Sequence, residues 1–175
     1  MHTGILTKSA PAGIAGRAED AALRWGVAAL ALTSVHHVYG AFRYHTPWRA
    51  HAAIVAILVT AAMAGALRVY RRAPETRAGT VAWWVFWTIT ALVPVLFFGV
   101  FEGFYNHLAK DALYFGGLPM AQMRRLFPPP AYEMPNDVFF EVTGVLQVVP
   151  TVATAWYLAL ATARRGRRVA DARAG

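Results

Sequence analysis

The sequence is organised around residues 34–51, which read SVHHVYGAFRYHTPWRAH. This stretch contains four of the six histidines and joins two long apolar segments. Ionisable groups beside long apolar segments are energetically costly, so they usually find partners and often mark functional sites. The position of this turn in the fold therefore decides which chemistry its imidazoles can take part in.

The composition places the chain among membrane proteins. Hydrophobic residues make up 57% of the 175 residues, charged residues make up 15%, and the mean hydropathy is +0.38. A helix needs about 20 apolar residues to cross a hydrocarbon core about 30 Å thick. Residues 81–101 meet this requirement without a single charged side chain. The sequence thus predicts an all-α integral membrane protein in contact with a lipid bilayer.

The apolar segments predict an antiparallel bundle of four transmembrane helices over residues 21–163. Residues 1–20 are polar and contain Gly and Pro, so we expect a flexible cytoplasmic tail there, and residues 164–175 should form a basic cytoplasmic tail. Residues 106–136 are the one long connection, an outer loop. Pro94 lies inside the third span and should kink it. The predicted spans are about 21–42, 51–70, 80–105 and 137–163.

The basic residues predict the orientation of this bundle. Twelve of the 17 Lys and Arg residues lie in the N-terminal segment, the loop between the second and third spans, and the C-terminal tail. Positively charged segments stay on the cytoplasmic side, so both termini should be cytoplasmic and residues 34–51 should reach the outer face. The net charge of +8 then reflects topology, and we expect no nucleic-acid partner. The Ala- and Arg-rich, cysteine-free composition suggests a bacterial inner membrane, with the site facing the periplasm.

Polar side chains gather at the outer ends of the four predicted spans. Glu102, Tyr105 and Asn106 are spaced to share one face of the third helix, and Asp137 and Glu141 share a face of the fourth. Because such groups turn towards the bundle interior, we expect them to meet the histidines. The ionisable and amide residues expected at this end are His36, His37, His51, Glu102, Asn106, His107, Asp137 and Glu141.

Imidazole and carboxylate groups together suit zinc, copper, iron or manganese, so the sequence predicts a transition-metal site. The absence of cysteine excludes thiolate sites, iron–sulfur clusters and c-type haem. The adjacent His36 and His37 cannot both face the bundle squarely, and we favour His37 because its helix face is the more polar. The Glu-x-x-His pair typical of di-iron bundles is absent, since Glu102 and His107 are five residues apart.

The predicted site assigns a role to each of these residues. The metal ligands are His37, His51 and His107 with Glu102 or Glu141, and His36 is held in reserve. Asn106, Asp137 and His45 are expected around the ligands, where hydrogen bonds would orient the imidazoles. If the protein is an enzyme, Glu102, Glu141 and Tyr105 are the candidate catalytic residues.

Several functions are compatible with this site. The first is redox or hydrolytic metal chemistry on a lipophilic substrate in the outer leaflet. The second is metal-free acid–base catalysis by His and Glu, as in an isomerase acting on a lipid or isoprenoid. The third is haem b, with His37 and either His51 or His107 as axial ligands. The last is a non-catalytic subunit of a homo-oligomer or larger membrane complex, in which the polar groups only hold the helices together.

Overall fold

The computed structural model describes residues 16–174, which are helical apart from short connections and contain no strand. Helix α1 is Gly16–Arg43, and a short 3-10 turn, Pro47–Ala50, leads into α2, His51–Arg72. Helix α3, Arg77–Thr90, passes directly into a π-helix, Ala91–Ala109, and then into α4, Lys110–Phe115. The remaining helices are α5 (Met120–Leu126), α6 (Val138–Leu146) and α7 (Val148–Ala174).

The π-helix begins close to Pro94. Proline has no backbone N–H, so the regular bond to the carbonyl four residues earlier cannot form there. In the π-helix, bonds span five residues instead of four, and each turn is wider. Helix α7 stabilises this segment, because the Thr151 hydroxyl donates to the Pro94 carbonyl at 3.1 Å. Gly99 permits this approach, since a Cβ at that position would collide with the Thr151 side chain.

Helices α6 and α7 follow each other across a break at Gln147. Pro150 lacks the N–H that would bond the Leu146 carbonyl, which accounts for the interruption. The Gln147 side chain is buried there and bonds to the Thr33 hydroxyl of α1. The break is therefore covered by α1.

Helix α1 lies at the centre of the packing, against α2, α7, α6 and the π-helix. The two ends of the bundle differ in character. One end, where α1 begins, is an apolar core that includes Leu30, Met63, Trp83, Phe86 and Leu158. The other end holds buried polar residues, among them His36, Glu102, His107 and Glu141. This polar end contains the candidate site.

Three helical stretches are long and apolar enough to cross a membrane: Pro47–Arg72, Arg77–Phe115 and Val138–Ala172. Their outward side chains are large and apolar, and Ile57 and Trp156, for example, are 69% and 64% exposed. An apolar surface of this extent is typical of contact with lipid. Helix α1 has 28 residues but is not among the three. It carries polar side chains, including His36 and His37, that turn into the bundle.

The helices and the predicted spans differ most around the predicted outer loop. Of residues 106–136, those up to Phe115 continue the third helix, and α5 forms a second helical segment. The third helix extends beyond its predicted end at residue 105 because residues 106–115 contain neither Gly nor Pro, the two residues least favourable in a helix. Residues 1–15 of the predicted tail lie outside the described part of the chain, and residues 16–20 form the first turn of α1.

Candidate metal centre

Three imidazole nitrogens converge on one carboxylate oxygen at the polar end of the bundle. The Nε2 atoms of His36, His37 and His107 each lie 3.6 Å from Oε1 of Glu102. His36 and His107 are fully buried, and Glu102 is 8% exposed. None of these three nitrogens has a hydrogen-bond partner among residues 16–174. Buried polar atoms nearly always have partners, so this convergence requires an explanation.

Hydrogen bonds behind His36 and His107 determine which ring nitrogen carries the proton. The Thr143 hydroxyl donates to the Phe139 carbonyl at 2.7 Å, so it accepts a hydrogen bond from Nδ1–H of His36 at 3.0 Å. The Glu141 carboxylate accepts from Nδ1–H of His107 at 2.6 Å. In its neutral form an imidazole has one N–H, so with both rings neutral, as metal ligands are, each Nε2 presents a lone pair. Both lone pairs face the Glu102 oxygen, which is also an acceptor.

A cation bound between these acceptor atoms would accept their lone pairs and so satisfy them. The 3.6 Å separations exceed the 2.7–3.2 Å usual for an N–H···O hydrogen bond. Ligands about 2.0–2.1 Å from one metal ion lie roughly 3.3–3.6 Å apart at angles of about 109–120°. The ligand atoms of His36, Glu102 and His107 all lie within 4.8 Å of one another. This buried group could therefore hold a metal ion.

The π-helix brings Glu102 and His107 to the same side of their helix. In an α-helix, five residues at about 100° each would set these side chains about 140° apart. In a π-helix, with roughly 4.4 residues per turn, the same spacing sets them about 50° apart. Asn106, on the same segment, donates from Nδ2 to Oε2 of Glu102 at 3.0 Å and leaves Oε1 for the three imidazoles.

A buried ion pair supports His107 from behind. The Lys110 ammonium donates to Oε1 of Glu141 at 3.1 Å and to the Glu133 carbonyl at 2.7 Å. The Lys110 side chain is 1% exposed and that of Glu141 is 9% exposed. A carboxylate bonded to a ligating imidazole is common in metal proteins, because it orients the ring and increases its basicity. Hydrogen bonds connect the Lys110 ammonium to the Glu141 carboxylate and that carboxylate to the His107 imidazole.

Close packing also holds the imidazoles in place. The ring of Phe140 stacks on His36 with centroids 4.1 Å apart and contacts His107 at 5.1 Å. Gly144 faces the His107 ring, and a Cβ at position 144 would collide with it. The His107 ring therefore lies directly against the backbone of α6, where only glycine leaves enough room.

His37 lies on the open side of the group. It lines a cavity of about 610 Å³ together with Glu102 and Asn106, whereas His36 and His107 lie behind them. Neither ring nitrogen of His37 has a hydrogen-bond partner within the described chain. A ligand reaching the centre from the cavity would therefore meet His37 and Glu102 first.

Four of the residues predicted for the site lie elsewhere. His51 starts α2, and its Nδ1 bonds to the Trp48 carbonyl one turn back. His45 is exposed in the turn after α1 and has a φ of 54°. The Tyr105 hydroxyl donates to the Leu126 carbonyl at 3.0 Å, because three residues along a π-helix turn its side chain away from Glu102. Asp137 caps α6.

Asp137 has a structural role at this helix end. Its carboxylate accepts from the Phe140 N–H at 2.9 Å, from Arg43 at 2.9 Å and from the Tyr39 hydroxyl at 3.0 Å. The Phe140 N–H and the Arg43 guanidinium lower the pKa of this carboxyl group. Asp137 thus joins α1 to the first turn of α6, and its hydrogen bonds within residues 16–174 do not include an imidazole.

Two residues that contact the imidazole and carboxylate groups are not predicted from the sequence. Thr143 sets the tautomer of His36, and Lys110 is paired with Glu141. A threonine in an apolar helix usually bonds to its own backbone, so its type alone carries no signal. The sequence position of Lys110 gives a weak indication that it contacts the site, because it lies one helical turn after His107.

No family model, no curated protein and no solved structure matches this chain.

Proposed function

We propose that this chain is a four-helix inner-membrane protein that binds a transition metal through His36, His107 and Glu102, with His37 beside Glu102 on the cavity side. Imidazole and carboxylate ligands together suit zinc, iron, copper or manganese. The metal would supply Lewis-acid or redox chemistry, and the substrate would be a lipophilic molecule that enters the adjacent cavity. The observation that carries this proposal is the convergence of three unpartnered Nε2 atoms on one Glu102 oxygen, all at 3.6 Å.

The ring geometry favours a bare metal ion over haem b. Two axial imidazoles on one haem iron lie on opposite faces of the macrocycle, with ring centroids roughly 6 Å apart. The rings of His36 and His107 are perpendicular, and their centroids are 4.6 Å apart. The Glu102 carboxylate also lies beside both Nε2 atoms, where the macrocycle would have to pass. Neither feature fits a haem bound between His36 and His107, and the Glu102 carboxylate likewise lies beside Nε2 of both His37 and His107, a pair predicted from the sequence.

Elemental and optical analysis of the purified protein tests the proposal. The protein should be solubilised in a mild detergent and purified without a polyhistidine tag, which would itself bind metal. We expect about one equivalent of a transition metal per chain, because a preformed set of deprotonated ligands binds metal at neutral pH. A Soret band would indicate haem instead. Metal-free protein that takes up none of the four metals on titration would overturn the proposal and leave the acid–base isomerase or the non-catalytic subunit.

We further propose that both termini are cytoplasmic and that the centre opens to the periplasm. The support is the clustering of Lys and Arg at the end of the bundle opposite the centre. Because the chain contains no cysteine, single cysteines can report on topology. In intact spheroplasts, a membrane-impermeant maleimide should label His45→Cys, whereas Arg167→Cys should require permeabilisation. Labelling in the opposite pattern would contradict this orientation.

A further inference from the structure

The cavity beside His37 has a polar end and an apolar end. Its polar lining is made of His37, Arg49, His51, Glu102 and Asn106. The rest of its wall is apolar and includes Leu92, Val93, Phe97 and Phe101. Its volume of about 610 Å³ falls within the range of roughly 300–1,000 Å³ found for small-molecule sites. The cavity thus has the shape and polarity of a site for an amphiphile.

Arg49 is the main cationic group in this lining and is 3% exposed. Its guanidinium lies over the rings of Trp48, Tyr44 and Phe140, 5.1–5.6 Å from their centroids. One nitrogen, Nη2, pairs with Glu133 at a long 3.4 Å, and Nε has no hydrogen-bond partner in the described residues. A guanidinium that lines a cavity, lies over aromatic rings and has only one long ion pair is well suited to bind a carboxylate or phosphate.

The apolar end of the cavity opens towards the lipid-facing surface. Leu92 and Phe97 line it, yet these side chains are 52% and 55% exposed. Both residues belong to the stretch Arg77–Phe115, which is long and apolar enough to cross a membrane. A molecule in the bilayer could therefore enter sideways without first passing through water.

We propose that the cavity binds a single-chain amphiphile with an acidic head group. The head, a carboxylate or phosphate, bonds to Arg49 at the polar end beside His37 and Glu102. The chain extends along Leu92 and Phe97 towards the opening in the lipid-facing surface. This inference rests on the proposed function, because it names the substrate class for the metal centre that the cavity reaches.

Binding can be measured in nanodiscs of zwitterionic phosphatidylcholine, with empty nanodiscs as the background. The probes are radiolabelled palmitate, hexadecyl phosphate and hexadecanol, which share a chain and differ in the head. We expect saturable binding of at least one acidic probe, and the tighter of the two identifies the head group. Hexadecanol should bind about tenfold more weakly, the effect expected for losing one charge-assisted hydrogen bond. Equal binding of all three probes, or none above background, would overturn the proposal.

Two variants test the two ends of the cavity. Arg49→Gln should weaken binding of the acidic probe about tenfold and leave hexadecanol unchanged, because only the charged contact is lost. Leu92→Trp should exclude all three probes by filling the apolar end. Leu96→Trp is the matched control, since Leu96 is 53% exposed on the same helix and is not among the cavity-lining residues. Unchanged acidic-probe binding in Arg49→Gln, or in Leu92→Trp, would contradict the assigned pose.

Metal content measured on the same samples separates this inference from the proposed function. A protein that holds metal but binds no acidic probe would refute only the amphiphile. A metal-free protein that binds the acidic probe through Arg49 would refute only the metal centre.

Discussion

Purified Glu102→Gln protein should lose its bound metal and keep its helical fold. Glu102 Oε1 lies 3.6 Å from each of the three unpartnered imidazole nitrogens, and the substitution removes its charge with little change in volume. Changes to residues that only support a ligand cost about 10–100-fold in metal affinity, so loss of this ligand should cost more. Metal content, chelator competition and far-ultraviolet circular dichroism measure the effect.

A pair of histidine variants sharpens this prediction. His36→Ala should also release the metal, because its Nε2 faces Glu102 from within the bundle. His51→Ala should retain it, because the Nδ1 atom of His51 bonds to the Trp48 carbonyl at the start of α2. The sequence alone favours His51 over His36, so these two variants distinguish the two ligand sets. Full metal content in Glu102→Gln, or loss of metal only in His51→Ala, would show that the assignment made from the structure is wrong.

Lys110→Met should destabilise the protein by about 3–5 kcal/mol, because it leaves the buried Glu141 carboxylate without its cation. The ammonium of Lys110 is the charged partner of Glu141 at 3.1 Å, and both side chains are almost completely buried. The unfolding free energy can be measured by titration with sodium dodecyl sulfate in mixed micelles, followed by circular dichroism.

Arg125→Met provides the matched control for Lys110→Met. It also removes one positive charge from the same end of the bundle, but Arg125 is exposed in α5. Exposed substitutions of this kind usually change stability by no more than about 0.5 kcal/mol. If both variants unfold at the same detergent fraction, Lys110 and Glu141 do not form a stabilising ion pair.

The helical character of the chain follows from sequence patterns that act over many residues. A charge-free stretch such as 81–101 has few alternatives to an apolar helix, and the described residues are indeed helical apart from their connections, with no strand. Three stretches have the length and apolarity to cross a membrane. The status of α1 as a fourth span stays a prediction, because its polar side chains lower its hydropathy although they face inwards.

The details of the candidate centre depend on geometry that no local pattern encodes. The five-residue spacing of Glu102 and His107 argues against a shared face in an α-helix, and only the π-helix reverses that conclusion. The sequence-based preference for His37 over His36 also treats the two residues as exclusive. In the structure both Nε2 atoms lie 3.6 Å from the same Glu102 oxygen. Their rings are perpendicular, with centroids 5.2 Å apart, so one carboxylate can lie between them.

The wide turns of the π-helix also change the signature by which distant relatives could be identified. A di-iron bundle is recognised by Glu-x-x-His, whereas this centre would appear as Glu-x-x-x-Asn-His in one apolar segment, beginning at Glu102. The following segment would carry Glu-x-Thr-Gly, from Glu141 to the glycine that accommodates the imidazole. A single-residue insertion or deletion between Glu102 and His107 would be tolerated by the apolar pattern but would separate the two ligands. We therefore expect the length of this interval to be inherited more strictly than the identity of the residues within it.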